Sequence, residues 1–323
     1  MKAVTVVESG VQIEDVDVPL PNDSEVLVKV HACGLNRADL IVADGGAHGA
    51  PGGLGTIVGM EFSGEIVKCG ENVKNLSIGD RVMCSGTSAW AEYAIADYGR
   101  VLKIPDNNMD FITASTLPIA LATMHNAIVT IGNFTRGQTI LIQGASSGVG
   151  LMGVQIAKSL EAKLVIGTST KREKFDKLKS IGADLVLNSK DKDWVDQVLQ
   201  STNNEGVDLI IDQLSGHTIN DNMKASKVKG TLVNVGRLAG GNTKFNCDLH
   251  ALRRINYRGV TFRTRSKNEI RDIFSKMWTD LSDLVTKRKL SLPIDKIFEL
   301  NDVADALSCM RDNQHFGKLI LKL

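Results

Sequence analysis

The ten residues 141–150 constrain the fold of this chain more than any other feature. An apolar strand pattern ends there in a turn with Gly144, Gly148 and Gly150, and a helical pattern follows at once over residues 151–157. Strand, glycine turn and helix in that order are typical of a dinucleotide-binding unit, because the glycines let the backbone approach a pyrophosphate and the helix N-terminus offers it unpaired N–H groups. A glycine turn alone is common in loops, so the matching flanks carry the prediction.

The bulk properties exclude several classes of protein. At 323 residues the chain exceeds the size at which one core usually stops growing, so we expect two domains. A net charge of +1 gives no basic field for nucleic acid, and five scattered cysteines argue against a disulfide framework or a structural zinc cluster. Since we find neither a signal-peptide pattern nor a run of about 18 apolar residues, we expect a cytoplasmic protein without membrane partners.

The patterns change along the chain and predict an α/β fold. Short β-branched runs with glycine turns fill residues 1 to about 105, and apolar strands alternate with helical patterns from about 110 to 257. Such alternation indicates βαβ units and a parallel sheet. We therefore predict one domain of residues 1–118 and 264–323, interrupted by a second of residues 119–263. The strands predicted for the second domain are Thr139 to Gln143, Lys163 to Thr168, Leu185 to Asn188, Leu209 to Asp212 and Thr231 to Val235.

The cofactor preference is predicted from the residues that follow the next strand. A unit that prefers NAD places an acidic residue about 20 positions after the glycine turn, but residues 167–172 contain no carboxylate. The segment instead offers hydroxyls and two cations, Lys171 and Arg172, which suit the 2′-phosphate of NADPH. The alternative is that Lys171, Arg172 and Lys174 are only the solvated face of a surface helix.

Residues 144–150 also resemble the glycine pattern of the short-chain dehydrogenases, which use a Tyr-x-x-x-Lys pair as their acid. The three tyrosines of this chain are followed four residues later by Asp97, Leu102 and Thr261. None of them supplies the pair, so this interpretation is rejected.

Several further segments follow one another in a specific order: residues 34–39, 59–64 and 79–82, the glycine turn, and residues 317–321. With these segments the chain resembles the medium-chain dehydrogenase/reductase superfamily over nearly its whole length, in the zinc-free quinone oxidoreductase (zeta-crystallin-like) branch. The resemblance implies a GroES-like β-rich catalytic domain with an inserted Rossmann domain, a doubly wound parallel sheet that binds NADP. It also implies a homodimer.

Zinc separates the branches of this superfamily. Alcohol dehydrogenases bind a catalytic zinc, and the resemblance places Asn36 and Met60 at two of the ligand positions. Neither side chain is a good Zn²⁺ ligand, and Cys33 nearby is interpreted as an ordinary small apolar residue. Without a Lewis acid for alkoxide chemistry, we expect hydride transfer from NADPH to a quinone or an α,β-unsaturated carbonyl compound.

The site residues are implied by the resemblance. Asn36 and Thr123 would flank the nicotinamide, with a turn-forming Asn and a self-bonded helix hydroxyl as the respective alternatives. Arg263 and Arg265 could bind an anionic substrate, or form a solvated surface pair instead. No catalytic acid is assigned. The predicted cofactor-binding residues are Asn36, Thr123, Ser146, Gly148, Val149, Thr168, Ser169, Lys174, Ser189, Val235, Gly236, Phe262, Arg263, Thr264 and Asn313.

Two other functions stay open at this point. Relatives with the same fold include vesicle-associated proteins and lens crystallins, so a non-catalytic NADPH-binding, trafficking or structural role is one alternative. A zinc-type alcohol dehydrogenase is the other. The expected small-molecule partner is an electrophilic acceptor, a quinone or an enone.

Overall fold

The computed structural model describes residues 1–49, 51–105 and 108–323. The chain divides into two compact units. We call residues 1–119 with 262–323 the split unit, and residues 120–261 the inserted unit. The domain boundaries that we predict from the sequence, 118/119 and 263/264, lie one and two residues from these divisions.

The N-terminal part of the split unit is mostly antiparallel β structure. Strands β1 and β2 pair with each other, and β3 pairs with both β4 and β6. β1, β3 and β4 are buried over most of their length, whereas β6 alternates between buried and half-buried positions. The elements are β1 (Lys2–Val7), β2 (Gly10–Asp15), β3 (Glu25–Gly34), α1 (Arg37–Ala43), β4 (Glu61–Cys69), β5 (Arg81–Ser85), β6 (Tyr93–Asp97), β7 (Val101–Lys103) and α2 (Phe111–Ala114). The next helix, α3 (Pro118–His125), begins in the split unit and continues into the inserted unit from residue 120.

The inserted unit is built on a six-stranded, fully parallel sheet. Its strand order is β10-β9-β8-β11-β12-β13, which is the 3-2-1-4-5-6 order of a dinucleotide-binding sheet. The strand order reverses between β8 and β11, and ligands bind such sheets at this switch point, beyond the carboxyl ends of the strands. The elements are β8 (Thr139–Gln143), α4 (Gly148–Ser159), β9 (Leu164–Thr168), α5 (Phe175–Ile181), β10 (Leu185–Leu187), α6 (Trp194–Ser201), β11 (Val207–Asp212), α7 (Ile219–Ala225), β12 (Ser226–Asn234), α8 (Cys247–Arg253) and β13 (Asn256–Gly259).

The C-terminal part completes the split unit. Its elements are α9 (Lys267–Thr286), β14 (Ile294–Glu299), α10 (Val303–Asp312) and β15 (Lys318–Lys322). β15 pairs antiparallel with β3 and parallel with β14, so the sheet order is β14-β15-β3-β4-β5-β7. Both ends of the chain therefore share one sheet, and residues far apart in the sequence meet where β3, β4 and β15 lie side by side.

The predicted fold class, α/β with a GroES-like unit and an inserted parallel-sheet unit, is confirmed. The predicted strands from 139 to 235 all occur, with shifts at their ends. Three short strands were not predicted: β2, β7, and β13, whose four residues are all exposed. The sequence Asn-Tyr-Arg-Gly of β13 carries no apolar alternation, so nothing in its pattern marks it as a strand.

One helical stretch, Phe111–Ile131, is long and apolar enough to cross a membrane by length and composition alone. The sequence has no unbroken run of about 18 apolar residues, but the mean hydropathy of this stretch is high although threonine, serine, histidine and asparagine interrupt it. In the folded protein, 72% of the most apolar part of this stretch is buried. A core helix passes this test as easily as a membrane span, so the stretch is weak evidence for a membrane.

Candidate functional site

The glycine turn, residues 144–150, connects β8 to α4 in the inserted unit. Gly144 adopts a φ of +70°, a conformation that favours glycine. A Cβ atom on Gly150 would lie 2.5 Å from the carbonyl oxygen of Gly144, so a side chain there would displace the backbone. Ser147 caps α4, since its hydroxyl accepts the Gly150 N–H at 3.0 Å. The turn is thus held against the helix by close backbone packing.

Neutral polar side chains support the turn from beneath. The Thr168 hydroxyl accepts the Gly144 N–H at 3.0 Å and donates to the Gln143 side chain at 2.7 Å. The Gln213 amide donates to the carbonyl oxygens of Gln143 and Gly144 and accepts from the Ser147 hydroxyl at 3.1 Å. These bonds give the turn a single conformation.

This network gives Thr168 a structural role. Thr168 is fully buried, and its hydroxyl serves the turn in both its donor and its acceptor role. The strand end places this side chain beneath Gly144. The expected contact of Thr168 with an adenosine phosphate stays a prediction.

The first turn of α4 provides the anion-binding groups. Gly148 and Val149 are its first two residues, where backbone N–H groups have no acceptor within the helix. Across the part of the chain that the structure describes, neither amide donates to another residue. With the partial positive charge of the helix end, this arrangement fits a pyrophosphate.

Two predicted residues meet beside the turn. The Ser169 hydroxyl, which follows β9, donates to the Ser146 hydroxyl at 3.2 Å and accepts the Lys171 N–H at 3.2 Å. Ser189, in the loop after β10, is half-buried. The structure therefore brings Ser146 and Ser169 together at the carboxyl end of the sheet.

The nearby cations behave differently from one another. The Arg172 side chain is 69% exposed and pairs with Asp191 at 2.6 Å, as the surface interpretation expected. Lys174 is only 6% exposed. A lysine buried to this extent is not part of a solvated helix face, so that alternative holds for Arg172 and fails for Lys174.

The structure also limits what the end of β12 can do. The N–H groups of Val235 and Gly236 both donate to the carbonyl oxygen of Asp212, and the Ser215 hydroxyl donates to the Gly236 carbonyl. Both N–H groups are thus bonded within the protein, and the Val235 carbonyl is the backbone group that would accept from a nicotinamide amide. The predicted backbone contact of Val235 and Gly236 with the nicotinamide stays a prediction.

The split unit contains a second set of polar groups, Asn36, Asp39, Glu61 and Lys318, which we call the polar cluster. The Lys318 ammonium contacts Glu61 Oε2 at 2.6 Å and donates to Asn36 Oδ1 at 3.0 Å. The Asn36 amide nitrogen donates to Glu61 Oε2 at 3.0 Å and to the Gly34 carbonyl at 3.2 Å. All four cluster members are buried.

Backbone groups complete the cluster. Glu61 Oε1 accepts the Ile119 N–H at 2.7 Å, and Asp39 Oδ2 accepts the Asn36 N–H at 2.7 Å. A Cβ atom on Gly34 would lie 2.3 Å from the Ser115 carbonyl oxygen and 2.9 Å from Glu61 Oε2. The absence of a side chain at Gly34 thus makes room for the cluster.

Burial changes the acidity of two groups beside the cluster. Desolvation raises the pKa of Asp39 to about 7, against the lowering effects of the Asn36 N–H and the Lys318 ammonium. Desolvation, with Asp39 and Glu61 nearby, also raises the pKa of the Cys33 thiol well above its usual value. Cys33 donates to the Ala89 carbonyl at 3.0 Å and stays protonated, which makes it a poor metal ligand.

The residues at the implied zinc positions do not fit a zinc ion. Asn36 is bonded to an ammonium group, and Met60 offers only a thioether. Among the described residues, no group of three or more His, Cys, Asp or Glu side chains is placed to hold a metal. We therefore assign no step of the chemistry to zinc.

The other predicted residues of the split unit lie near its C-terminal elements. Asn313 ends α10, and its side-chain oxygen accepts from Arg37 at 2.7 Å. Arg265 is within 3.9 Å of Glu269, an exposed carboxylate one helical turn away. Arg263 and Thr264 are exposed, and Phe262 is half-buried. Their roles toward a ligand stay predictions.

Thr123 lies on α3 in the inserted unit and is half-buried, whereas its neighbours from 120 to 128 are buried. Its role stays a prediction as well. Sequence reasoning missed Asp39, Glu61 and Lys318 as members of a polar cluster. The available signal was a charged residue at the start of two apolar strands, Glu61 before Phe62 and Lys318 before Leu319, where a strand core normally excludes charge.

Comparison with known proteins agrees with this architecture. Residues 22–106 match the family model described as alcohol dehydrogenase GroES-like domain. Residues 148–280 match the one described as zinc-binding dehydrogenase. The fold and the glycine turn together define the class: an oxidoreductase that uses a nicotinamide cofactor.

Individual relatives narrow the class. Quinone oxidoreductase of Rattus norvegicus is 32% identical over 243 residues, which is 73% of each chain. The low-reducing polyketide synthase drtA of Aspergillus calidoustus is 29% identical over 313 residues; the match covers 94% of this chain but 12% of that protein. Mycobacterial Rv1454c complexed with NADPH superposes with a TM-score of 0.89 at 25% identity, covering 100% of both chains. The chain belongs to the medium-chain dehydrogenase/reductase superfamily, in its quinone oxidoreductase branch.

Proposed function

We propose that this protein transfers hydride from NADPH to a quinone or an α,β-unsaturated carbonyl compound, and that it does so without zinc. The observation that carries the proposal is the polar cluster. At the position implied for a zinc ligand, Asn36 Oδ1 lies 3.0 Å from the Lys318 ammonium, and a second cation beside it would be repelled. An acceptor that delocalises the incoming charge by conjugation does not require a Lewis acid.

When bound, NADPH supplies the hydride from its nicotinamide ring, and the acceptor takes up a proton from water. The N–H groups of Gly148 and Val149 are proposed to bind the pyrophosphate. Ser169 and Lys174 are proposed to bind the adenosine 2′-phosphate. These assignments are supported by the amides of Gly148 and Val149, which have no acceptor within the helix, and by the absence of a carboxylate from residues 167–172.

The cofactor preference is tested by titrating NADPH and NADH against Lys174→Ala. We expect NADPH binding to weaken by about tenfold or more, the size of one charge-assisted contact, while NADH binding is unchanged. Because NADH is measured on the same variant, a general folding defect would be visible. Arg172→Ala is the matched control, and it should change neither affinity. Equal weakening of both cofactors by Lys174→Ala would refute the phosphate assignment.

The reaction itself is tested by following NADPH absorbance with a panel of quinones, enones and enoyl thioesters. Oxidation with at least one acceptor class is expected. Tight NADPH binding without oxidation across the panel would support a non-catalytic binding role instead.

A cytoplasmic location and a homodimeric state also remain proposals. Light scattering coupled to gel filtration measures the second directly, and a mass of one chain would refute it.

A further inference from the structure

Asn36 is the cluster member best placed to meet a ligand, because Asp39 and Glu61 are fully buried whereas Asn36 is 8% exposed. Its carboxamide has two different ends, and the cluster dictates which end points where. An ammonium group has only hydrogens to donate, so Lys318 must face the Asn36 oxygen. A carboxylate only accepts, so Glu61 must face the Asn36 nitrogen.

The hydrogen bonds of the carboxamide can then be counted. Both N–H hydrogens are used, one by Glu61 Oε2 and one by the Gly34 carbonyl. The oxygen has two lone pairs, and Lys318 occupies one of them. Toward the residues that the structure describes, one acceptor position on Oδ1 is left, and no donor.

We infer that Lys318, acting with Glu61, is a positioning residue that holds the Asn36 carboxamide in one orientation and lets it meet a ligand only as a hydrogen-bond acceptor. The ligand group that it suits is a hydroxyl. A quinone or an enone presents only acceptor oxygens, whereas a ribose presents hydroxyl donors. Asn36 therefore acts on the cofactor rather than on the substrate. This inference rests on the proposed function for the identity of the cofactor.

The direct test follows the Asn36 side-chain amide by two-dimensional ¹⁵N–¹H NMR of the cofactor-free protein, with Asn36→Asp identifying the signal. In the wild type we expect hydrogen exchange of this amide to be slow. Lys318→Met should accelerate it by about tenfold or more, since the carboxamide is no longer fixed from the oxygen side. Lys318→Arg keeps the positive charge and should restore part of the protection.

Lys322→Met is the matched control, because Lys322 lies on the same strand and forms an exposed pair with Glu299. It should leave the Asn36 signal unchanged. An Asn36 amide that exchanges equally fast in the wild type and in Lys318→Met would overturn the inference, whether or not the protein proves to be an enzyme.

Kinetics supply the second readout. A mispositioned reacting group lowers catalysis by about 10- to 100-fold, so we expect Lys318→Met to lower kcat by such a factor. The factor should be the same for a quinone and for an enone, with the acceptor KM unchanged, since the contact is with the cofactor. Circular dichroism and NADPH binding stoichiometry report the folded fraction. A loss that differs between the two acceptors would refute the assignment to the cofactor. If none of the tested acceptors supports NADPH oxidation by the wild type, the proposed function fails. The hydrogen-exchange measurement then still decides whether Lys318 positions Asn36.

Discussion

The glycine turn and the polar cluster are two functional regions built in contrasting ways. The turn is assembled from backbone groups and from the neutral side chains of Gln143, Thr168 and Gln213. The cluster is assembled from a buried ammonium and a buried carboxylate beside a second carboxyl group. Burying a neutral polar group costs little free energy when the group is hydrogen-bonded, whereas a buried charge is costly unless it is paired. The turn should therefore tolerate the loss of one bond far better than the cluster tolerates the loss of one partner.

The largest effect is expected from Lys318→Met. It leaves Glu61 charged and unpaired inside the protein, so we expect the free energy of unfolding to fall by about 3–5 kcal/mol. Lys322→Met removes an exposed pair on the same strand and should change it by at most about 1 kcal/mol. Urea denaturation of both variants makes the comparison. If both variants lost the same small amount of unfolding free energy, the charge pair of Lys318 and Glu61 would not stabilise the cluster.

The cluster should also make stability depend on pH. The pKa of Asp39 is raised to about 7, so between its ordinary value and pH 7 the folded protein keeps a proton that the unfolded chain releases. The contribution of this group is therefore favourable at low pH and is lost as pH rises toward 7, by about 2–3 kcal/mol between pH 5 and pH 8.

Asp39→Asn tests this pH dependence, because it keeps an acceptor for the Asn36 N–H and cannot ionise. The variant should lose less stability than the wild type between pH 5 and pH 8. If the free energy of unfolding fell by the same amount in both proteins between pH 5 and pH 8, the pH dependence would not come from Asp39.

In the turn, Gly150→Ala is expected to have the next largest effect. Its Cβ meets backbone atoms, so the turn must shift, which destabilises the protein by about 1–3 kcal/mol. Displacing the amides of Gly148 and Val149 should weaken NADPH binding by about tenfold or more. Gly241→Ala is the control, since a Cβ atom there meets nothing within 4 Å. Calorimetric titration with NADPH distinguishes the two variants, and wild-type affinity in Gly150→Ala would refute the role of the turn.

The smallest effect is expected from Thr168→Val. The substitution keeps the volume and removes a hydroxyl that makes two hydrogen bonds, so we expect a loss of about 1–2 kcal/mol. Thr170→Val, at an exposed position, should change stability by no more than about 0.5 kcal/mol. Thermal denaturation compares the two. A loss as large as that of Lys318→Met would remove the contrast between the regions.

The same contrast explains what the sequence could predict. The turn is local: residues 139–157 contain its strand, glycines and helix, and the pattern predicts all three. The cluster joins residues 36, 39, 61 and 318. The pairing of β3 with β4 brings residue 61 to residue 36, and the pairing of β15 with β3 adds residue 318. No local pattern encodes these pairings. The buried state of Thr168 and the bonded amides of Val235 and Gly236 were missed for a related reason, since a strand's end does not reveal which way its last side chains and amides point.

The central claim is hydride transfer from NADPH without zinc, and it is tested most directly by measuring NADPH oxidation with a quinone or enone alongside the zinc content of the same sample. The protein is assayed before and after dialysis against a chelator, with zinc quantified by mass spectrometry. We predict an unchanged rate when zinc is far below one atom per chain. A rate that falls in proportion to the zinc removed, and recovers when zinc is returned, would contradict the account.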